Sequence, residues 1–164
     1  MKKLPQILSA EHKNILKVIS AVFKQCEEID SGKYLDEPFF VKVISFIKNY
    51  ADKFHHAKEE DILFAELNKD GVLEHCNPIE QMLHEHTLGR GFVKGLSEAV
   101  EKGDKAEAVK NAREYCELLQ EHIFKEDNIL YPMADEALKE SAQKEIAEKF
   151  AKIPELKFEE KDWE

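Results

Sequence analysis

Two segments of the sequence carry residues that could share a metal ion. His55 is followed four positions later by Glu59, and His122 is followed four positions later by Glu126. In both segments a lysine precedes the glutamate, and two polar residues, Ile-Leu and an aromatic residue follow it. Side chains four residues apart on an α-helix lie on the same face. Each segment therefore predicts an imidazole and a carboxylate that can bind one cation together.

These side chains can meet only if helices position them, and the sequence predicts four long amphipathic helices. Each begins at a residue typical of helix N-caps: Ser9, Asp36, Asn77 and Asp104. The predicted helices cover about residues 9–30, 36–68, 77–102 and 104–131, and Pro132 is expected to end or kink the last of them. Short connections between long helices are typical of an up-down-up-down four-helix bundle. We therefore expect an all-α fold.

The length of the chain, 164 residues, suits one domain. We predict a single domain over residues 1–164, with the bundle at about residues 5–139 and a short additional helix at about residues 141–153. The tail, residues 154–164, is charged with a few apolar side chains. We expect it to pack along the bundle or to contact a partner.

A helical wheel places one histidine on the apolar face of each long helix. These four inward histidines are His12, His55, His86 and His122. The same wheel turns His56 and Glu60 toward the more solvated side of their helix. His75 and His84 are expected at the surface.

The four inward histidines are predicted to lie at one level of the bundle. In an antiparallel hairpin, residues equidistant from the turn lie side by side. The midpoint of the first two histidines falls at residues 31–36, and that of the last two falls at residues 103–104. The midpoint of Glu59 and the third histidine falls just after Gly71. All three midpoints lie in predicted turns, so the histidines and the two glutamates are expected to converge.

Six converging ligand-type side chains favour a metal centre over simple ion pairs. An unpaired buried carboxylate costs several kcal/mol, so either buried His–Glu pairs or bound cations must neutralise the two glutamates. Imidazole and carboxylate ligands suit Fe, Mn or Zn. Six ligands are too many for one tetrahedral zinc and suit two ions bridged by two carboxylates. The predicted metal ligands are His12, His55, Glu59, His86, His122 and Glu126.

Composition excludes several other classes of protein. The sequence has 34 acidic and 24 basic residues and a net charge of −10, which argues against nucleic acid or an anionic membrane as partner. No apolar run approaches the roughly 20 residues of a membrane span, and no signal peptide is recognisable. Cys26, Cys76 and Cys116 form no C-x-x-C motif. We expect a cytoplasmic protein with reduced thiols.

Four motifs together resemble the hemerythrin-like (HHE cation-binding) family over roughly Leu4 to Phe150. They are Ile7-Leu8-Ser9-Ala10-Glu11-His12, the His55 segment, Glu85-His86-Thr87-Leu88-Gly89-Arg90, and the His122 segment through Tyr131-Pro132-Met133. The resemblance implies a non-haem di-iron centre with an oxo or hydroxo bridge. It implies that His12 and His55 hold one iron, that His86 and His122 hold the other, and that Glu59 and Glu126 bridge them.

The ligand pattern departs from that of the oxygen-carrying hemerythrins. Those proteins have two histidines four apart on the third helix, and Met82 stands at the earlier position here. They also have an aspartate five residues after the last histidine, where this chain has Glu126 four residues after His122. The pattern is more similar to that of bacterial di-iron proteins that repair iron centres, and of hemerythrin-like proteins linked to nitric oxide or peroxide.

The resemblance implies that the protein binds and reacts with a small molecule such as O2, NO or peroxide. Two alternatives remain: reversible binding or sensing of O2 or NO without turnover, and storage or donation of iron or repair of iron centres. Tyr115 lies two turns before His122 on the same helix face. It is interpreted either as a tyrosine that fills the core or as a proton or electron donor near the site.

Overall fold

The computed structural model describes residues 3–164, and every regular element in this range is helical. Helix α1 is Leu4–Asp30, α2 covers residues 37–67, α3 is Ile79–Lys102 and α4 covers residues 105–137. The shorter α5 is Glu140–Ala151, and a single 3₁₀ turn, Glu160–Trp163, follows in the tail. The all-α fold predicted from the sequence is confirmed.

Local capping explains where three of the long helices begin. The Asp36 side chain accepts a hydrogen bond from the backbone N–H of Phe39 at the start of α2. Asp104 accepts one from the backbone N–H of Glu107 at 3.1 Å at the start of α4. Asn77 accepts one from the N–H of Ile79 at 3.0 Å before α3. Each cap satisfies a backbone donor that has no partner within the helix.

The predicted start of α1 is wrong. The helix begins at Leu4, five residues before Ser9, with Pro5 in its first turn. Proline is tolerated there because that backbone N–H has no helical partner. Leu4 and Leu8 are both buried, so packing extends the helix over this segment. Ser9 instead donates a hydrogen bond from Oγ to Oδ1 of Asp127 at 2.6 Å.

Pro132 does not end the fourth helix, which continues to Ala137. The segment just before the proline, Glu126–Leu130, is π-helical, and α2 contains two further π-helical segments, Ile47–His56 and Glu59–Leu63. Such segments are rare and occur frequently at functional sites. Two of these three segments begin at predicted ligands, Glu59 and Glu126.

The apolar core is divided into two clusters along the bundle. One cluster includes Ile19, Val43 and Leu96, and the other includes Leu8 and Leu63. The buried polar and charged side chains of the described residues come from the helix segments between them: Glu11, His12, His55, His56, Lys58, Glu59, Glu85, His86, His122 and Glu126. All six predicted ligands belong to this polar layer.

The C-terminal tail packs on α1 and α2 rather than standing free. Trp163 contacts the rings of Phe39 and Phe46, and Phe158 also contacts Phe46. The ammonium of Lys42 lies 4.5 Å from the centre of the Trp163 ring. Among the described residues, none of the helices has the length and apolar character needed to span a membrane.

Candidate metal centre

Both H-x-x-x-E segments place their imidazole and carboxylate in contact. His55 Nε2 lies 3.1 Å from Glu59 Oε1, and His122 Nε2 lies 3.0 Å from Glu126 Oε1. All four side chains are at most 1% exposed. The spacing of four residues therefore brings each pair together inside the core.

The other two helices complete two groups that share the same carboxylates. One group is His12, His55, Glu59 and Glu126, and the other is Glu59, His86, His122 and Glu126. In each group, the potential ligand atoms lie within 4.8 Å of one another. Glu59 Oε2 is 3.2 Å from His86 Nε2, and Glu126 Oε1 is 3.3 Å from His12 Nε2. Each glutamate therefore reaches from one histidine pair to the other.

These separations fit ligands of a common ion. Two ligands at right angles with bonds of about 2.1 Å lie about 3.0 Å apart. The Nε2 atoms of His86 and His122 face each other at 3.1 Å. Close contact between ring nitrogens is expected where both donate their lone pairs to one cation.

Several buried polar atoms of the layer lack a hydrogen-bond partner among the described residues. They are His55 Nε2, Glu59 Oε2, His86 Nδ1 and both carboxylate oxygens of Glu126, together with the hydroxyl of Tyr115. The close His–Glu contacts above therefore do not have the geometry of hydrogen bonds. Leaving such atoms unsatisfied costs about 1–3 kcal/mol each, and more where they are charged. Cations bound between the glutamates and histidines would satisfy most of them.

A second ring of carboxylates orients the imidazoles from outside. Glu11 Oε1 lies 2.9 Å from His55 Nδ1, and Glu85 Oε1 lies 3.0 Å from His122 Nδ1. Asp127 Oδ1 lies 2.8 Å from His12 Nδ1. Histidines that bind metals commonly donate their other N–H to a carboxylate, which fixes the ring and the tautomer. This arrangement leaves Nε2 of each ring free to face the centre.

Two lysines, one of them buried, pair with the first two of these carboxylates. Lys58 Nζ lies 2.7 Å from Glu11 Oε2, and Lys125 contacts Glu85 in the same way. Burial raises the pKa of Glu85, but hydrogen bonds with His122 and Lys125 outweigh this effect and lower the pKa to about 2. The contacts of Glu11, His55 and Lys58 are thus repeated in the other half of the bundle.

The prediction that His56 faces solvent is wrong. Its side chain is buried, and its ring stacks on that of His86 with 3.8 Å between the centroids. The helical wheel assumed α-helical geometry, whereas His56 ends a π-helical segment whose turns contain more residues. Glu60 is half-buried and pairs with Arg90 at the surface. His75 and His84 are exposed, as predicted.

Tyr131 is a site residue that the sequence reasoning missed. Its hydroxyl donates to Glu59 Oε1 at 2.6 Å and lies 3.2 Å from His12 Nε2. Burial, followed by the charges of Glu126 and Glu59, raises its pKa well above the ordinary value, so the phenol stays protonated. The sequence carries one signal for this role, which is the difference between the two H-x-x-x-E segments. The first segment has Phe64 where the second has Tyr131, so only the second aromatic side chain carries a hydroxyl.

A cavity of about 370 Å³ opens beside the histidines of the second group. Its lining includes His56, His86, His122, Gly89, Val93 and Tyr115. The buried hydroxyl of Tyr115 is among the unpartnered atoms described above. Tyr115 therefore both fills core space and presents an unused hydrogen-bonding group next to the cavity. Met82 is buried and belongs to the apolar cluster that contains Leu63.

Comparison with known proteins identifies one related family. A family model described as hemerythrin HHE cation binding domain matches residues 4–134. The matched range contains all six predicted ligands. Neither a curated protein nor a solved structure shows a significant match to the chain.

Proposed function

This chain belongs to the hemerythrin HHE cation-binding family, and from that premise we propose that it is a di-iron protein that reacts with O2, NO or peroxide. The supporting observation is that two ligand groups share Glu59 and Glu126. His12 and His55 would hold one ion, and His86 and His122 the other, with the two glutamates between them. Bound iron would supply reversible electron transfer and open coordination positions. The same nitrogen and oxygen donors also suit Mn or Zn.

The cavity supports a role with small molecules. Its lining includes Asp52 and Arg90 as well as the rings of His86 and His122. Its volume of about 370 Å³ is ample for a diatomic molecule or a peroxide. The apolar side chains of Val93 and Leu119 also line it. A small molecule in this cavity would therefore lie against two of the predicted ligands, His86 and His122.

Two phenols favour reaction over simple binding. The Tyr131 hydroxyl donates a hydrogen bond to Glu59, a member of the first ligand group, with 2.6 Å between its oxygen and Glu59 Oε1. The Tyr115 hydroxyl has no hydrogen-bond partner among residues 3–164, and Tyr115 lines the cavity. A positioned acid typically accelerates a reaction about 10²–10⁴-fold when it transfers a proton in the transition state. Reversible binding or sensing, and iron donation or repair, are the competing outcomes of the test below.

Anaerobic loading with iron followed by rapid mixing tests the proposal. We expect two ions per chain, and spectral changes with O2, NO or H2O2 that end in an oxidised product. Spectra that return when the gas is removed would indicate reversible binding, and transfer of iron to an apo-protein acceptor would indicate donation. Freshly loaded protein that holds less than one ion per chain would contradict the di-iron centre.

A double variant tests the bridging carboxylates. Glu59→Ala with Glu126→Ala should abolish binding of the two ions, because both groups lose a shared ligand. The matched control is Glu117→Ala with Glu121→Ala, which removes two exposed glutamates from α4. Iron content that is the same in both double variants would contradict the assigned ligands.

A further inference from the structure

Each H-x-x-x-E segment carries a lysine directly before its glutamate. Lys58 and Lys125 stand three residues after the histidine of their segment, so each lies on the same helix face as that histidine. Each lysine pairs with a glutamate of the neighbouring helix, Glu11 on α1 or Glu85 on α3. The same contact between helices therefore occurs twice, once in each half of the bundle.

In the first half, Lys58 and His55 share the two oxygens of one carboxylate. Lys58 Nζ lies 2.7 Å from Glu11 Oε2, and His55 Nδ1 lies 2.9 Å from Glu11 Oε1. Glu11 thus connects an ammonium to an imidazole, with one oxygen for each. A carboxylate held at one oxygen cannot rotate without losing that bond, so the lysine also fixes the oxygen that faces the imidazole.

In the second half, the arrangement is the same but less dependent on the lysine. Lys125 Nζ lies 2.5 Å from Glu85 Oε2, and His122 Nδ1 lies 3.0 Å from Glu85 Oε1. Gln81 also donates to Glu85 Oε2, at 2.8 Å. The side chain of Lys125 is 37% exposed, against 6% for Lys58. Water and Gln81 can therefore replace part of what Lys125 provides.

Stability alone does not explain the burial of Lys58. Lysine is almost never fully buried unless it is paired, and the partners of this ammonium are Glu11 and the ring of Phe54, whose centre lies 3.7 Å away. The cost of removing two charges from water often offsets their attraction, so a buried ion pair is a weak source of stability. A role at the neighbouring imidazole accounts for the pair instead.

A lysine near a cation site can act through its charge or through its position, and the two effects have opposite signs. An ammonium repels a bound cation, so its removal would strengthen metal binding if only charge mattered. Loss of the group that orients a metal-binding histidine instead weakens metal binding, typically about 10–100-fold. The direction of the change therefore separates the two roles.

We propose, building on the di-metal centre proposed above, that Lys58 and Lys125 are positioning residues for metal binding. Each lysine holds one oxygen of its glutamate, so that the other oxygen keeps the imidazole of His55 or His122 turned with Nε2 toward the centre. The effect is larger at Lys58, because Glu11 has no side-chain partner besides Lys58 and His55 within residues 3–164.

Competition with a chelator of known affinity measures the effect. The full chain is loaded with Zn(II), which undergoes no redox change, and both dissociation constants are determined. Lys58→Met removes the ammonium and keeps a long unbranched side chain. It should weaken binding of one ion about tenfold or more, and Lys125→Met should weaken binding by less. Unchanged or tighter binding in Lys58→Met would overturn the proposal, whereas wild-type protein that holds fewer than two zinc ions would contradict the di-metal centre itself.

The matched control is Lys53→Met, which removes an exposed lysine from the same helix. This variant loses the same charge but no contact with Glu11, so both dissociation constants should stay as in the wild-type protein. A loss of affinity equal to that of Lys58→Met would overturn the proposal.

A double-mutant cycle tests whether the lysine acts through the carboxylate. Glu11→Gln alone should weaken binding of one ion, and adding Lys58→Met to it should weaken binding no further. A further loss as large as that of Lys58→Met alone would show an independent, structural effect and would overturn the proposal. If Lys58→Met does not fold, the cycle of Lys125→Met with Glu85→Gln gives the same test at the half-exposed lysine, with the same two outcomes.

Discussion

At the scale of single residues, the centre depends on pairing each imidazole with two carboxylates. His55 contacts Glu59 on the inner side and Glu11 on the outer side, and His122 contacts Glu126 and Glu85 in the same way. The inner carboxylate is available to a cation, and the outer one fixes the ring. Without a cation, this arrangement favours a protonated imidazole.

The metal-free protein should therefore release protons when it binds metal. Burial lowers the pKa of His55, but the charge of Glu59 and the contact with Glu11 outweigh this effect and raise the pKa to about 10. His122 is raised to about 10 in the same way by Glu126 and Glu85. Both rings are thus charged at pH 8, although a metal ligand must be neutral. We expect roughly two protons released per chain at pH 8, measured by titration with metal in weakly buffered solution.

The same shifts give the stability of the metal-free protein a definite pH dependence. The folded-state pKa values of His55 and His122 lie above the ordinary value of 6.5. Their contribution to stability is therefore complete below about pH 6.5 and is lost as the pH rises toward 10. The free energy of unfolding in urea should fall over this window. A metal-free protein that grows more stable between pH 7 and 10 would contradict the two pKa shifts.

Tyr131 offers a test of proton supply at the centre. Tyr131→Phe creates the side chain that Phe64 has in the other half, so the ring should still pack. The variant should bind two ions, but its reaction with H2O2 should slow about tenfold or more because Glu59 loses its proton donor. Stopped-flow absorbance measures this rate. Tyr115→Phe is the comparison. The hydroxyl that it removes has no hydrogen-bond partner within the described residues, so this variant should leave stability unchanged or slightly increased.

At the scale of elements, helix caps and π-helical segments act at different levels. Asp36 and Asp104 set where two helices begin, because each side chain accepts a hydrogen bond from the backbone N–H three residues later. The π-helical segments set how side chains at the centre are directed, since Glu59 and Glu126 each open one. Capping can be predicted from the local sequence, whereas the π-helical segments cannot.

Helix α3 carries a glycine that shapes the cavity. A Cβ added at Gly89 would lie 3.5 Å from Cε2 of Tyr115, an ordinary contact, whereas one added at Gly91 would meet nothing within 4 Å. Both Gly89→Ala and Gly91→Ala should stabilise the protein by about 0.5–1 kcal/mol through helix propensity. Only Gly89→Ala should slow the reaction with small molecules, because only Gly89 lines the cavity. Urea unfolding measures the change in stability, and stopped-flow absorbance measures the rate of the reaction. Equal rates in the two variants would contradict access of small molecules through this cavity.

At the scale of the whole molecule, a charged layer separates two apolar clusters. The layer holds ten buried polar or charged residues, and several of their atoms have no partner in the described part of the chain. Each of the four long helices, α1 to α4, contributes residues to this layer. Ions bound there would connect the helices and compensate the charge in the middle of the core.

Removing metal should therefore destabilise the protein. A ligand that binds only the folded state adds about 2.7 kcal/mol at a free concentration of 100 times its Kd. Thermal unfolding with and without a strong chelator should show a lower Tm for the stripped protein, restored by added metal. The variant Glu59→Ala with Glu126→Ala should show no such response. A chelator effect of equal size in both proteins would place the stabilising ion elsewhere.

The sequence alone determined the helices and the residues that meet between them. Capping residues, helix periodicity and the four-residue spacing are local properties, so they predicted the bundle and the convergence of His12, His55, Glu59, His86, His122 and Glu126. Tertiary structure decided what depends on neighbouring helices. The early start of α1 follows from burial of Leu4 and Leu8, and the inward position of His56 follows from a π-helical segment packed against α3. Such packing depends on contacts between distant segments, which a helical wheel cannot represent.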